Sequence, residues 1–244
     1  YLTGAYALLF YAAAAVLVAG LAYKIGQYAT TPAPLKIPTM PAPLTRGGAA
    51  LRVAREVVLF ESLFKANKWI WLFGWMFHAA LLVALIRHLR YFIEPVWGWV
   101  VLAQPFGVYA GFAMLAGLVG LWGRRILVER VRYISAPSDH LMLALLVGIV
   151  GSGLAMRYVV RTDIVALKAF FLGLISFDWQ PLPADLPLLV HLALVAALMI
   201  IFPVSKLLHA PGLFFSPARN QSDDARARRH LAAWAASLES SGKG

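Results

Sequence analysis

Long apolar blocks, rather than alternating apolar and polar positions, dominate the chain. Each block has close to the twenty residues that a helix needs to cross a bilayer core about 30 Å thick. Polar segments separate the blocks, so the pattern predicts an all-α integral membrane bundle of five transmembrane helices. The predicted spans are residues 5–23, 69–92, 105–123, 139–160 and 187–209.

Three of these spans begin with residues typical of helix N-termini. Pro105 and Pro187 suit a first helical turn, where the missing N–H of proline costs no hydrogen bond, and Ser138 suits the N-cap of the fourth span. Between the spans, the proline-rich residues 31–48 predict an extended linker, residues 49–69 have helical periodicity, and residues 166–179 predict a short interfacial helix.

The basic residues determine the predicted orientation. They concentrate in the connections between spans one and two and between spans three and four, and in the C-terminal tail, which all lie on one side of the membrane. Cytoplasmic loops carry the excess of Lys and Arg, so we expect the N-terminus outside and the C-terminus in the cytoplasm of a bacterial or archaeal cell. The net charge of +11 is therefore a membrane-orientation signal and does not indicate nucleic acid. We expect a membrane domain over residues 1–209, with a cytoplasmic linker at 24–68, and a cytoplasmic tail over 210–244.

Composition restricts the chemistry. Hydrophobic residues make up 61% of the chain and cysteine is absent, which excludes thiolate metal sites, iron–sulfur clusters and c-type haem attachment within it. No catalytic domain is recognisable. Any redox role would therefore be that of an electron-transfer subunit in a larger oxidoreductase, using a cofactor held by ligands other than cysteine.

Four histidines lie in two of the apolar spans, where a buried ionisable group is costly and marks a functional site. With the predicted topology they form two depth-matched pairs, an outer pair, His88 and His191, and an inner pair, His78 and His209. Two neutral imidazoles from opposing helices are what a six-coordinate haem b requires, so the pattern predicts two haems b. Eighteen residues make five turns, which predicts that His191 and His209 share one helix face.

A histidine-lined proton or metal transporter is the alternative. Such proteins normally place carboxylates beside their histidines, and the spans here hold few. His140 follows a helix start and is interpreted as a capping-region residue, and His230 lies in the polar tail. At the outer end of span two, Arg90 and Glu94 stand within about a turn of His88. They form a candidate quinone pocket, in which Glu94 would accept the proton of a quinol and Arg90 would orient its oxygen.

The spacings His78-x9-His88 and His191-x17-His209, together with FPVSKLLH at 202–209, resemble the cytochrome b (gamma) subunit family of respiratory nitrate reductase. That resemblance implies that the four histidines are axial ligands of two haems b, paired crosswise. It also implies that menaquinol or ubiquinol is oxidised near the outer haem, and that electrons pass inward to a cytoplasmic iron–sulfur subunit.

The tail sequence LFFSPARNQSDDARARRHLAAW is similar to the branch of the family found in membrane complexes linked to dissimilatory sulfite reductase. This similarity implies a role in sulfur-compound respiration or oxidation. The expected partners are an iron–sulfur subunit of heterodisulfide-reductase type, a periplasmic multihaem cytochrome c, a ferredoxin-like protein and a second membrane subunit.

Overall fold

The computed structural model describes residues 1–32 and 37–224, and within them the regular structure is helical, without strands. Five helices are long and apolar enough to cross a membrane, which confirms the all-α, five-span fold of a multi-pass membrane protein. These spans are Leu2–Thr30, Lys68–Tyr91, Gly98–Leu127, Pro137–Val160 and Leu186–Val204.

The α-helices are numbered in chain order. They are α1 (Leu2–Thr30), α2 (Arg46–Leu59), α3 (Glu61–Ala66), α4 (Lys68–His88), α5 (Gly98–Leu127), α6 (Glu129–Ile134), α7 (Pro137–Ala155), α8 (Ile164–Ser176), α9 (Leu186–Ile201) and α10 (His209–Gly212). Short polar side chains cap four of them, since Thr45, Asn67, Asp163 and Asp185 each accept hydrogen bonds from backbone N–H groups of the first turn that follows.

The third span begins seven residues before the predicted start. Helix α5 starts at Gly98, so Pro105 lies inside the helix and the expectation that it occupies the first turn is wrong. Proline removes one hydrogen bond of the helix at this point. Membrane helices tolerate this because neighbouring groups can satisfy the freed carbonyl.

The start of α7 also differs from the prediction. Ala136 occupies the N-cap and Pro137 the first helical position, so Ser138 is not the cap. The side chain that accepts a backbone hydrogen bond at this helix start is that of Asp139, whose buried carboxylate accepts from the Ala136 N–H at 3.1 Å. The same carboxylate lies 3.5 Å from the guanidinium of Arg125.

The fifth span is shorter than predicted. The α-helical part of α9 ends at Ile201, a 3-10 turn follows at Phe202–Val204, and Ser205 is extended. Pro203 lacks the N–H that would continue the helix, which accounts for the break. His191 and His209 therefore do not share the face of one continuous helix, and that expectation is wrong.

The described residues form two compact units. The first contains Tyr1–Val18 and Leu63–Phe202. In it α5 packs against α4 and α7, and α7 packs against α9. One core cluster, which includes Phe77, Leu118 and Val150, joins α4, α5 and α7. A second cluster, which includes Phe170 and Leu188, joins the N-terminal part of α1 to α8 and α9. Helix α8 confirms the short apolar helix predicted near 166–179.

The second unit contains residues 19–62 and the described residues that follow Phe202. Helix α2 lies in this unit, and α2 and the following α3 confirm the helical periodicity predicted for 49–69. The segment before α2 pairs with the chain near its described end, through Thr39 N–H to Ala218 O at 3.2 Å and Asp223 N–H to Pro43 O at 2.8 Å. Parts of the predicted linker (33–36) and tail (225–244, with His230) lie outside the described residues, and the predicted domain boundary stays a prediction.

Candidate functional site

The two histidines of the outer pair lie side by side in the first unit. His88 is the last residue of α4 and His191 lies in the second turn of α9. Their ring centroids are 6.3 Å apart and their planes differ by 13°. The sequence prediction that these two residues meet is consistent with this geometry.

The hydrogen bonds of these rings determine which nitrogen is available. Nδ1 of His88 lies 2.6 Å from the carbonyl oxygen of Ala84, and Nδ1 of His191 lies 2.9 Å from that of Ile149. A carbonyl oxygen only accepts hydrogen bonds, so Nδ1 must carry the hydrogen in both rings. In a neutral imidazole this leaves the lone pair on Nε2, which makes no hydrogen bond in either ring within the described chain.

The separation of the two rings fits a shared iron. A histidine nitrogen lies about 2 Å from a metal that it binds, and the ring centroid lies about 1 Å further from the metal. Two imidazoles on opposite sides of one iron are thus expected to have centroids roughly 6 Å apart. Within the described residues, no group of three or more His, Cys, Asp or Glu side chains is arranged to hold a metal.

The inner pair shows the same hydrogen-bond polarity. Nδ1 of His78 lies 2.7 Å from the carbonyl oxygen of Gly74, and Nδ1 of His209 lies 2.9 Å from that of Lys206. Both rings therefore also direct the lone pair to Nε2. His78 belongs to the first unit and His209 to the second, so their pairing stays a prediction.

A cavity of about 1010 Å³ adjoins His209 within the second unit. Ser205, Lys206, Phe214 and Phe215 are among the residues that line it. Its volume is at the upper end of the range typical of cofactor and ligand sites, about 300–1,000 Å³. The described residues thus leave a space of the size of a ligand site beside this histidine.

His140 differs from these four histidines. The indole N–H of Trp122 donates a hydrogen bond to Nδ1 of His140 at 3.0 Å. Nδ1 is therefore the acceptor and the neutral ring carries its hydrogen on Nε2. This ring is used as a hydrogen-bond acceptor between α5 and α7, which agrees with its interpretation as a residue other than a ligand.

The candidate quinone residues have partners that the sequence did not indicate. Arg90 donates hydrogen bonds to the side chain of Gln104 at 3.2 Å and to the hydroxyl of Tyr91 at 3.0 Å. Glu94, which is largely exposed, forms an ion pair with Lys168 of α8. Arg90 and Glu94 are thus not paired with each other, and their role in quinone binding stays a prediction.

Three polar residues near the outer pair escaped the sequence analysis, namely Gln104, Lys168 and Ser152. Each is the lone polar side chain in an apolar stretch of helix, which is the signal that would have found it. Gln104 also accepts a hydrogen bond from Arg87 through its backbone oxygen at 2.8 Å. Gly107 allows this close approach, because a Cβ there would collide with the Arg87 side chain.

Comparisons with known proteins identify the family of the chain. The chain is 38% identical over 269 residues to the "Hdr-like menaquinol oxidoreductase cytochrome b-like subunit" of Archaeoglobus fulgidus, with 92% of this chain and 81% of the relative covered. It is 35% identical over 267 residues to the protein of the same name from Archaeoglobus profundus, with 90% of this chain and 79% of the relative covered. Residues 60–221, which include all four candidate ligands, match the nitrate reductase gamma subunit family. The chain therefore belongs to the nitrate reductase gamma subunit family.

Proposed function

We propose that this chain is a di-haem b membrane subunit that carries electrons from menaquinol to a cytoplasmic iron–sulfur partner. The observation that carries the proposal is the outer histidine pair, whose parallel rings are 6.3 Å apart. In both rings Nδ1 donates a hydrogen bond to a backbone carbonyl oxygen, which leaves Nε2 unprotonated. That is the protonation state that an axial ligand needs.

In this proposal His88 and His191 hold one haem, and His78 and His209 hold the other. The common hydrogen-bond polarity of all four rings supports the assignment, since each ring is held by a backbone carbonyl at Nδ1. The cavity beside His209 has the volume of a ligand site, which supports a bound group next to this ring. When bound, haem supplies one-electron redox chemistry, and the protein supplies ligation, orientation and electrostatics.

The quinol site is proposed near the outer pair. The names of both relatives include menaquinol oxidoreductase, which favours menaquinol over ubiquinol as the electron donor. Arg90 would orient a quinol oxygen, and Glu94 would take up the proton released on oxidation. The ion pair with Lys168 of α8 fixes the position of the Glu94 carboxylate.

The direction of electron flow follows from the expected topology, with the outer pair near the quinol and the inner pair near the cytoplasm. The words "Hdr-like" in the relatives' names support a partner of heterodisulfide-reductase type. We extend the proposal to a complex of sulfur-compound metabolism, with a periplasmic multihaem cytochrome c, a ferredoxin-like protein and a second membrane subunit as further partners.

The reduced-minus-oxidised spectrum of the purified chain, with haem quantified as the pyridine haemochrome, tests this function. We expect the absorption bands of haem b and a content of two haems per chain. A menaquinol analogue should reduce both haems. A histidine-lined transporter would give no haem b bands, and that result would refute the proposal.

A further inference from the structure

Helix α7 contributes none of the four candidate ligands, yet two of its atoms contact the outer pair. The carbonyl oxygen of Ile149 lies 2.9 Å from Nδ1 of His191, and the hydroxyl oxygen of Ser152 lies 3.1 Å from the same nitrogen. His191 belongs to α9, so both contacts cross from one helix to another. An ideal Cβ at Gly153 would lie 3.4 Å from the His191 ring, which shows how closely the ring approaches α7.

The direction of these hydrogen bonds follows from their distances. The Ser152 hydroxyl has one hydrogen, and its nearest acceptor is the carbonyl oxygen of Gly148 at 2.7 Å. Its lone pairs then face Nδ1 of His191, which can donate to Ser152 and Ile149 together. The opposite arrangement would bring an unprotonated Nδ1 against the Ile149 carbonyl oxygen, two acceptors that repel each other.

The two ligands of the outer pair are therefore held differently. Nδ1 of His88 donates to one carbonyl, that of Ala84 on its own helix. Nδ1 of His191 donates to two oxygens on a neighbouring helix. An acceptor at the far nitrogen fixes the orientation of an imidazole and increases the basicity of its ligating nitrogen.

We propose that Ser152 is a positioning residue for the outer haem, an inference that rests on the proposed function. Together with the Ile149 carbonyl, its hydroxyl orients the His191 ring and strengthens electron donation from Nε2. A stronger donor stabilises ferric over ferrous iron, and hydrogen bonding around the ligands is one of the means by which a protein sets a haem potential. Ser152 thus lowers the reduction potential of the haem held by His88 and His191.

The test is a potentiometric titration of the full chain in membranes, in a His209→Ala background in which the outer haem is expected to be the one low-spin haem and is followed by its low-spin absorption band. Ser152→Val and Ser152→Thr form the central comparison, because valine and threonine have the same shape and differ in the hydroxyl. We expect the midpoint potential to rise in Ser152→Val and in Ser152→Ala, and to stay at its original value in Ser152→Thr.

Ser176→Ala is the matched control. The Ser176 hydroxyl donates to the carbonyl four residues earlier, that of Leu172, at 3.1 Å, as Ser152 does in α7, but it contacts no histidine. We expect Ser176→Ala to leave the potential unchanged. Loss of the outer haem in Ser152→Val, with retention in Ser152→Thr, would also support positioning by the hydroxyl.

Equal potentials in Ser152→Val and Ser152→Thr would overturn the inference, as would a shift of the same size in Ser176→Ala. Both outcomes leave the haem in place and so leave the proposed function intact. A starting protein without haem would overturn the proposed function itself, so the two failures are distinguishable.

Discussion

The indole N–H of Trp122 donates to Nδ1 of His140 at 3.0 Å, whereas Nδ1 of His191 faces the carbonyl oxygen of Ile149 at 2.9 Å. Nδ1 of His140 thus accepts a hydrogen bond, whereas Nδ1 of His191 donates one. The two histidines lie in the same membrane bundle, yet only the second presents the nitrogen lone pair that iron ligation requires. The nitrogen that donates, in addition to the position of His140 near a helix start, thus separates the candidate ligands from His140.

His140→Phe should therefore keep both haems. The substitution removes the acceptor of the Trp122 N–H, and an unpaired, partly buried donor costs about 1–3 kcal/mol. We expect a lower melting temperature of the purified protein and an unchanged haem-to-protein ratio. Loss of either haem in this variant would contradict the assignment of His140 as a structural residue.

The carboxylate of Asp139 joins two elements of the first unit, and its loss should destabilise the protein. Asp139→Ala removes both the acceptor for the Ala136 N–H and the partner of Arg125. We expect a cost of about 1–3 kcal/mol, since the carboxylate is buried but Arg125 is partly exposed. Thermal unfolding in detergent checks this. Ser138→Ala is the control, because Ser138 does not cap α7, and it should leave the melting temperature within error of the original protein.

Glu94→Gln should slow the reduction of haem by a menaquinol analogue, because the amide cannot take up the proton of the quinol. The effect on stability should be small, since an ion pair as exposed as that of Glu94 with Lys168 contributes about 0–1 kcal/mol. Stopped-flow reduction, with thermal unfolding as the control, separates the two effects. An unchanged rate of haem reduction would exclude Glu94 from the quinol site.

The predicted topology is testable by reporter fusion. The basic residues between spans one and two, between spans three and four, and in the tail predict that these segments lie in the cytoplasm. A reporter that is active only in the cytoplasm should be active when it is fused after Gly244. A reporter that is active only after export should be silent at the same position. The reverse result would exchange the outer and inner designations of the two histidine pairs.

The sequence predicted the five spans because apolar length is a strong signal that local interactions do not override. The sequence prediction was less accurate at the ends of helices, where the effect of a proline depends on its position in the helix. Pro105 suits a first turn but lies inside α5, and Pro203, which lies within the predicted span 187–209, ends the α-helical part of α9. Both errors arose from judging a proline without knowing where the helix hydrogen bonds begin and end.

The candidate site was predicted in part. The prediction that His88 and His191 lie close together needed only their sequence spacing and their depth in the membrane. Spacing and depth follow from helix rise and topology alone. The Glu94 partner on α8 and the Ser152 contact with His191 were not predicted. Each depends on how two segments separated by tens of residues pack against each other, and neither spacing nor composition encodes that packing.

The crossed ligation of two haems is the central claim, and the visible spectra and haem content of four single variants test it most directly. Each His→Ala change opens one coordination position, so the haem concerned should be lost or become high-spin, while the other stays low-spin. We expect His88→Ala and His191→Ala to share one phenotype, in which rapid reduction of haem by quinol is lost. We expect His78→Ala and His209→Ala to share another, in which haem is still reduced but electrons no longer reach the cytoplasmic partner. Phenotypes that group His78 with His88, or four variants that all keep two low-spin haems, would contradict the crossed ligation.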